Sequence, residues 1–206
     1  MAQSIYRSWF VNFEPWNGIH PITWQQGTLS DIAQVTMGQS PAGSSYNQIG
    51  DGTVFYQGRS EFGERFPTRR LFTTAPKRMA SEGDLMMSVR APVGDLNIAT
   101  ESCCLGRGLA GLRSKSNSQS FLYYTMKSLE KELDVFNGEG TVFGSINKKD
   151  TEHLPVLIPN VLDINRFEHI VKPMDDVIKA NTLEIWKLRN IRDDLLPRIM
   201  SGDTSL

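Results

Sequence analysis

Three glycines near the middle of the chain have the spacing of a dinucleotide-binding loop, G-x-G-x-x-G. They are Gly106, Gly108 and Gly111, in the run C-C-L-G-R-G-L-A-G. Such a loop binds a pyrophosphate only where its third glycine opens a helix, because the amides of the helix N-terminus hold the phosphates. After Gly111 comes the polar run L-R-S-K-S-N-S, and the next helical pattern starts several residues too late. The sequence therefore favours small residues that let strands pack closely, rather than a bound nucleotide cofactor.

The other residues that could do chemistry also lack a catalytic pattern. The sequence has no G-x-x-x-x-G-K loop, no acidic residue two positions before a lysine and no N-P-P-[YF] tetrapeptide. His20, His153 and His169 are scattered without metal-ligand spacing, and we expect surface or packing roles for His153 and His169. Cys103 and Cys104 are adjacent in an apolar run, which predicts buried, inert thiols and no disulfide framework. The sequence predicts a protein that binds a partner and has neither a metal site nor a catalytic site.

The composition is typical of a globular protein. The chain has 206 residues, of which 39% are hydrophobic and 22% charged, and its net charge is −1. No apolar run is long enough to cross a bilayer, and the first residues lack the pattern of a secretion signal. Because the two cysteines cannot link distant segments, we expect a reducing, cytoplasmic environment and no membrane partner.

One basic segment interrupts this near-neutral balance. Between Arg59 and Arg78 six basic side chains stand against two acidic ones, and Phe62, Phe66 and Phe72 lie among them. A local excess of positive charge with interleaved aromatic residues can bind the phosphates of a nucleic acid. A solvated, strongly charged loop has the same composition, and the local sequence leaves both interpretations open.

The hydrophobic pattern predicts an α+β fold, with a mixed globular domain that contains a small β-sheet and a long coiled-coil helix at the C-terminal end. We divide the chain into a short helical segment (1–16), the globular domain (17–160) and the long helix (161–206). Short apolar runs between Gly, Pro and Asp residues predict strands, and helical spacing predicts one helix inside the domain. The predicted strands are 53–56, 85–89, 96–99 and 108–112, and the predicted helix is 119–133.

A heptad pattern begins near Asp163, which we predict as the N-cap of the long helix. Pro173 should kink this helix or mark a local start. A single amphipathic helix on the domain's own core is the alternative, but about 30 helical residues reach roughly 45 Å, more than such a domain covers. The pattern therefore predicts a second helix as partner, with Asn181 fixing the register. The predicted seam consists of Ile164, Phe167, Val171, Met174, Ile178, Asn181, Ile185 and Leu188.

Five stretches together resemble the specificity subunits of type I restriction–modification enzymes. They occur in the order of that family and cover nearly the whole chain. The stretches are G-T-L-S-D-I-A-Q-V-T-M-G-Q-S-P (27–41), G-D-L-M-M-S-V-R-A-P-V-G-D-L-N-I-A (83–99), C-C-L-G-R-G-L-A-G-L-R (103–113), G-T-V-F-G-S-I-N-K-K-D (140–150) and L-R-N-I-R-D-D-L-L-P-R-I-M-S-G (188–202).

The resemblance implies a non-catalytic subunit that selects the DNA sequence. A separate modification subunit would methylate adenine with S-adenosylmethionine, and a separate restriction subunit would use ATP and Mg to translocate and cleave DNA. No cofactor is then expected on this chain. Family members usually carry two target recognition domains and paired long helices, whereas this chain has one of each. It therefore resembles a half-length subunit, natural or truncated, whose helix would pair with a second copy.

Two further functions remain as alternatives. A truncated specificity fragment could regulate or compete with complex assembly, and an enzyme could carry its own nuclease or methyltransferase activity. The missing catalytic motifs weigh against the enzyme.

Candidate contacts with double-stranded DNA lie between and within the family-like stretches. Amide and hydroxyl side chains could reach bases, and the cations suit phosphates or guanine. The candidates are Gln39, Ser40, Tyr56, Gln57, Arg59, Arg65, Arg69, Arg70, Lys77, Arg78, Arg90, Lys148 and Lys149.

Overall fold

The computed structural model describes residues 1–138 and 144–201, which form two compact units. The first unit comprises residues 1–168 and the second residues 169–206. The short N-terminal helix therefore belongs to the same unit as the mixed domain. Residues 140–143 of the fourth family-like stretch, and the end of the long-helix segment from 202 onward, lie outside the described residues.

The element order alternates short strands with helices before one long helix. Its helices are α1 (Ala2–Phe10), α2 (Leu29–Ile32), α3 (Gln119–Ser128), α4 (Glu130–Asp134), α5 (Lys148–Glu152) and α6 (Val161–Met200). Its strands are β1 (Gln25–Thr28), β2 (Ala33–Met37), β3 (Tyr46–Asn47), β4 (Thr53–Tyr56), β5 (Phe72–Thr73), β6 (Met79–Ala80), β7 (Leu85–Ser88), β8 (Leu96–Ile98), β9 (Cys103–Leu105), β10 (Leu109–Ser114) and β11 (Pro155–Ile158). The predicted strands are confirmed to within about two residues, and the predicted helix over 119–133 divides at Leu129 into α3 and α4.

Two sheets and one strand pair build the first unit. The four-stranded sheet has the order β2-β10-β7-β8 and is antiparallel. The five-stranded sheet has the order β3-β5-β4-β9-β6, and its β4–β9 pair is parallel. Strands β1 and β11 pair antiparallel, which joins the beginning and the end of the mixed domain.

Side chains from both sheets share one core. Met86 and Leu109 of the four-stranded sheet pack with Val54, Cys103 and Leu105 of the five-stranded sheet, and all five are buried. The alternation of apolar residues on short strands therefore produces a continuous hydrophobic interior. Burial of Cys103 raises the pKa of its thiol to about 12, in agreement with the prediction of an inert cysteine.

An aromatic core joins α1, α3 and the first turns of α6. The ring of Phe167 lies 5.3 Å from that of Phe10, 5.8 Å from Tyr6 and 6.4 Å from Phe121, measured between centroids, and all three pairs are edge-to-face. Aromatic pairs at these distances and angles stabilise a core beyond their area alone. Glu168 also accepts a hydrogen bond from the amide of Phe121 at 2.7 Å. The start of α6 is therefore part of the first unit.

The beginning of α6 corrects the predicted N-cap. The helix starts at Val161, and the side chain of Asn160 accepts the amide of Asp163 at 2.9 Å, so Asn160 is the capping residue. The carboxylate of Asp163 is buried and accepts hydrogen bonds from the indole of Trp24 and the amide side chain of Asn160. Pro173 lies within the continuous helix and does not mark a separate start. No helix in the described part of the chain is both long and apolar enough to cross a bilayer.

Candidate nucleic-acid interface

Three strand ends meet at one edge of the five-stranded sheet. Strands β4 and β9 are parallel, and Tyr56 pairs with Leu105, so the residues after both strands leave the sheet at the same edge. Strand β6 is antiparallel to β9, and the amide of Leu105 donates to the carbonyl of Arg78 at 2.7 Å. The amide of Gly106 donates to Tyr56 at 2.7 Å. Gln57, Arg78 and the turn at Gly106 are therefore neighbours, although they are far apart in the sequence.

The loop after β2 joins the same edge. The amide of Gln39 donates to the carbonyl of Leu105 at 2.9 Å, and the amide of Gly38 donates to that of Leu109 at 2.9 Å. The hydroxyl of Ser40 accepts the backbone amide of Arg107 at 3.1 Å. These bonds fix the Gly38–Ser40 loop against the turn between β9 and β10.

The glycine motif explains how these segments come so close. A Cβ atom on Gly106 would lie 2.6 Å from the Cα of Gln57, and one on Gly38 would lie 2.1 Å from the carbonyl oxygen of Gly106. Any larger residue would force the backbones apart. Gly111 lies inside strand β10, so no helix follows the motif and no helix N-terminus faces a phosphate. The prediction that these glycines serve close strand packing is confirmed.

Arg90 lies next to the same turn. The amide of Val89 donates to the carbonyl of Gly108 at 2.9 Å, and Arg90 pairs with Ser145 in an isolated antiparallel bridge. The segment after Ser145 leads to α5, where the side chain of Asn147 caps the helix by accepting the amide of Asp150.

We name the exposed polar residues that meet here the recognition edge. Its cations make no ion pair with any residue in the described ranges, and its amide side chains point out of the core. Guanidinium groups and amides can bind phosphate oxygens and the edges of bases, which gives this edge the chemistry of a DNA contact surface. The recognition edge consists of Gln39, Gln57, Lys77, Arg78, Arg90 and Arg107, and the predicted contact Ser40 lies half-buried beside Arg107.

Three arginines of the basic segment are already paired within the chain. Arg59 forms an ion pair with Asp95 at 2.9 Å, Arg69 pairs with Glu101, and Arg70 pairs with the buried Glu61. Two of these acids, Asp95 and Glu101, lie outside the basic segment, where a count of local charge misses them. These two acids offset half of the excess of four positive charges that was predicted for the segment.

Two further candidates are packed against the domain itself, which corrects their predicted place on the DNA-facing surface. Tyr56 is 1% exposed, and burial raises the pKa of its hydroxyl. The guanidinium of Arg65 lies 4.5 Å from the ring centre of Tyr123 and donates to the hydroxyl of Tyr124 at 3.4 Å. The sequence could not distinguish these packing roles from surface ones, because tyrosine and arginine serve both.

The two lysines at the start of α5 are exposed. Lys148 opens α5 and forms an ion pair with Glu152 at 3.5 Å. Lys149 is exposed and makes no ion pair among the residues that the structure describes. Both positions stay predicted phosphate contacts.

Arg107 is the residue of the edge that the sequence analysis missed. It lies inside the glycine motif, which we assigned entirely to the scaffold. The available signal was a long cationic side chain between two glycines in a turn directly after an apolar strand.

The heptad seam divides into a buried and an exposed part. Ile164, Phe167 and Val171 are buried within the chain, so they are not available to a partner helix, and this corrects their assignment to a dimer seam. The later seam residues Ile178, Ile185 and Leu188 are 40%, 47% and 57% exposed. Between them Met174 is half-buried and Asn181 is exposed.

Comparison with known proteins decides the family. The model of the type I restriction modification DNA specificity domain matches residues 21–191. The chain belongs to this family. It is 34% identical over 186 residues to a specificity subunit assigned to the type I restriction enzyme MjaX of Methanocaldococcus jannaschii, a match that covers 88% of this chain and 44% of that subunit.

Two solved structures have the same fold. The HsdS subunit from Thermoanaerobacter tengcongensis superposes with a TM-score of 0.68 at 31% identity, over 98% of this chain and 50% of that one. A chain from a study of complex assembly and conformational transition of the type I R-M system gives a TM-score of 0.70 at 32% identity, over 96% and 50%. The predicted α+β fold with a long C-terminal helix is confirmed, and the chain spans about half the length of these relatives.

Proposed function

We propose that this specificity-family chain reads one half of a DNA target and directs partner subunits to it. The observation that carries the proposal is the recognition edge, where segments from five parts of the sequence place amides and cations side by side. Amides and guanidinium groups read base edges, and cations bind phosphates. We infer that the chain itself performs no catalysis.

The proposed partners follow from the family. A modification subunit would carry S-adenosylmethionine and methylate the DNA, and a restriction subunit would carry ATP and Mg and cleave it. These proteins would act together in the cytoplasm, and this chain would bind none of their cofactors. The similarity to specificity subunits, combined with the exposed edge, does not favour a separate role as a regulator or competitor of assembly.

We also propose that two copies of the chain pair through α6. The chain covers 44% of one relative and 50% of another, and a second copy would supply the length that one copy lacks. The exposed seam residues Ile178, Ile185 and Leu188 support this, because each apolar side chain gains roughly 1.5–3 kcal/mol on full burial. Paired copies would hold two recognition domains and read two half-sites.

The test is reconstitution with a type I modification subunit from the same organism. The complex, supplied with S-adenosylmethionine, should methylate DNA at one defined motif, and sequencing of the modified DNA should reveal that motif. The modification subunit alone should give no motif, and the purified chain alone should transfer no methyl group. Methyl transfer by the chain alone, or methylation without any sequence preference by the complex, would contradict the proposal.

A further inference from the structure

We propose that Arg107 reads a guanine in the half-site, which makes it a specificity-determining residue of the proposed DNA-binding function. The inference rests on that proposed function and specifies one residue that reads DNA and the base that it contacts. Arg107 is exposed, and its side chain makes no ion pair with any residue in 1–138 or 144–201. It lies where the Gly38–Ser40 loop, the end of β4 and the β9–β10 turn come together.

The backbone around Arg107 is fixed on every side. Its own amide donates to the hydroxyl of Ser40 at 3.1 Å. The preceding amide of Gly106 donates to Tyr56 at 2.7 Å, and the following amide of Gly108 donates to Gln57 at 3.2 Å. The turn is closed by a hydrogen bond from Leu109 to the carbonyl of Gly106 at 3.0 Å. Recognition of a base needs a side chain whose backbone is held in a fixed position. This turn holds the backbone of Arg107 in that way.

The residues beside Arg107 favour a base over a phosphate as its partner. Gln39 and Gln57 are exposed on the two segments that bond to this turn, and an amide side chain offers a paired donor and acceptor suited to base edges. Arginine presents two parallel donors to the O6 and N7 atoms of guanine, and lysine presents a single point charge. Arg78 and Arg90 lie on the adjoining segments, where they can bind the phosphates on either side of that base.

The experiment compares methylated motifs produced by reconstituted complexes that contain the wild-type chain, Arg107→Ala, Arg107→Lys or Lys149→Ala. Arg107→Ala should relax a single guanine position and lower methylation of the original motif by roughly 5- to 150-fold, the worth of one bidentate pair. Arg107→Lys should relax the same position. Lys149→Ala removes a predicted phosphate contact from α5, so it should weaken methylation of all sequences alike and leave the motif unchanged.

A positioning variant separates reading from general loss of structure. Ser40→Ala removes the hydroxyl that holds the amide of Arg107, so it should weaken selection at the same guanine position and at no other. Thermal unfolding of each chain, which should match that of the wild type, checks the fold. If Arg107→Ala keeps the whole motif, or if Arg107→Lys restores full selectivity, Arg107 binds phosphate or nothing and the inference is overturned. Failure of the wild-type complex to select any motif would instead overturn the proposed function.

Discussion

The indole Nε1 of Trp24 donates a hydrogen bond to the carboxylate of Asp163 at 3.1 Å, across 139 positions of the sequence. Both side chains are buried, and the same carboxylate oxygen also accepts the side-chain amide of Asn160 at 2.7 Å. This contact fixes the first turn of the long helix to the mixed domain. A buried carboxylate with two donors is stable there, whereas a buried indole N–H without an acceptor is costly.

The first prediction follows from that contact. Asp163→Ala should lower the free energy of unfolding by about 1–3 kcal/mol, because the N–H of Trp24 would be left buried without an acceptor. Urea unfolding followed by far-UV circular dichroism measures the change. Asp193→Ala is the matched control, since Asp193 is exposed and pairs only with Arg192 among the described residues, so its effect should be small. Equal stability of Asp163→Ala and the wild type would contradict the prediction.

The second prediction separates two arginines of the basic segment. Arg70→Ala should lower the free energy of unfolding by about 1–3 kcal/mol, because it leaves the buried carboxylate of Glu61 without its cation. Arg59→Ala should cost at most about 1 kcal/mol, because both members of its pair with Asp95 are half exposed. Adding Glu61→Gln to Arg70→Ala should recover part of the loss. The measurement is again urea unfolding, and a larger loss for Arg59→Ala would reverse the assignment.

Local patterns predicted the fold class, the long helix and four of the eleven strands in the described residues. The runs T-V-F-Y and L-M-M-S form strands β4 and β7, and the residues of the heptad pattern form helix α6. These predictions succeeded because alternation and heptad spacing indicate which face of a strand or helix is buried. The first heptad was interpreted wrongly. Phe167 has the spacing of a coiled-coil residue, but it packs against Tyr6 and Phe10, and the spacing is the same whether a helix packs on its own domain or on a partner.

Only part of the candidate site could be predicted from the sequence. Gln39, Gln57 and Arg78 were predicted individually, but their proximity depends on the parallel pairing of β4 with β9, which no local pattern reveals. Counting charges within the basic segment overestimated its free positive charge for a similar reason. Arg59 and Arg69 form ion pairs with Asp95 and Glu101, which are distant in the sequence.

The third prediction concerns the contribution of the recognition edge to DNA affinity. Lys77→Ala and Arg78→Ala should each weaken binding to all sequences by a similar factor. Each should also reduce the slope of log affinity against log salt by about 1, because each removes one phosphate contact. Titrations of the reconstituted complex at several salt concentrations measure both effects. Because the chain's net charge is only −1 and the recognition edge has four cations, the free chain should bind weakly. Tight specific binding without the modification subunit would contradict this.

The fourth prediction concerns the pairing of two chains through α6. The wild-type chain should be a dimer at micromolar concentration, and Ile178→Asp should convert it to a monomer, because a carboxylate buried in an apolar seam has no partner to offset its desolvation. Ala180→Asp is the matched control, since residue 180 lies two positions away and off the heptad seam. Light scattering gives the mass of each species. A monomeric wild type would contradict the pairing, and dissociation of both variants would show that the seam residues are not specific.

The fifth prediction links the helix to the spacing of the DNA target. Two copies paired antiparallel would hold their recognition domains apart, whereas a parallel pair would crowd both domains at one end. Two-fold symmetry then requires a split palindrome, with identical half-sites in inverted orientation. Removing the heptad 185–191 from each chain shortens the helix by about 10 Å, which corresponds to about three base pairs. The methylated motif of the reconstituted variant should therefore keep both half-sites and lose about three base pairs of the gap between them. An asymmetric motif, or an unchanged gap in a variant that remains dimeric by light scattering, would show that the helix does not set the distance.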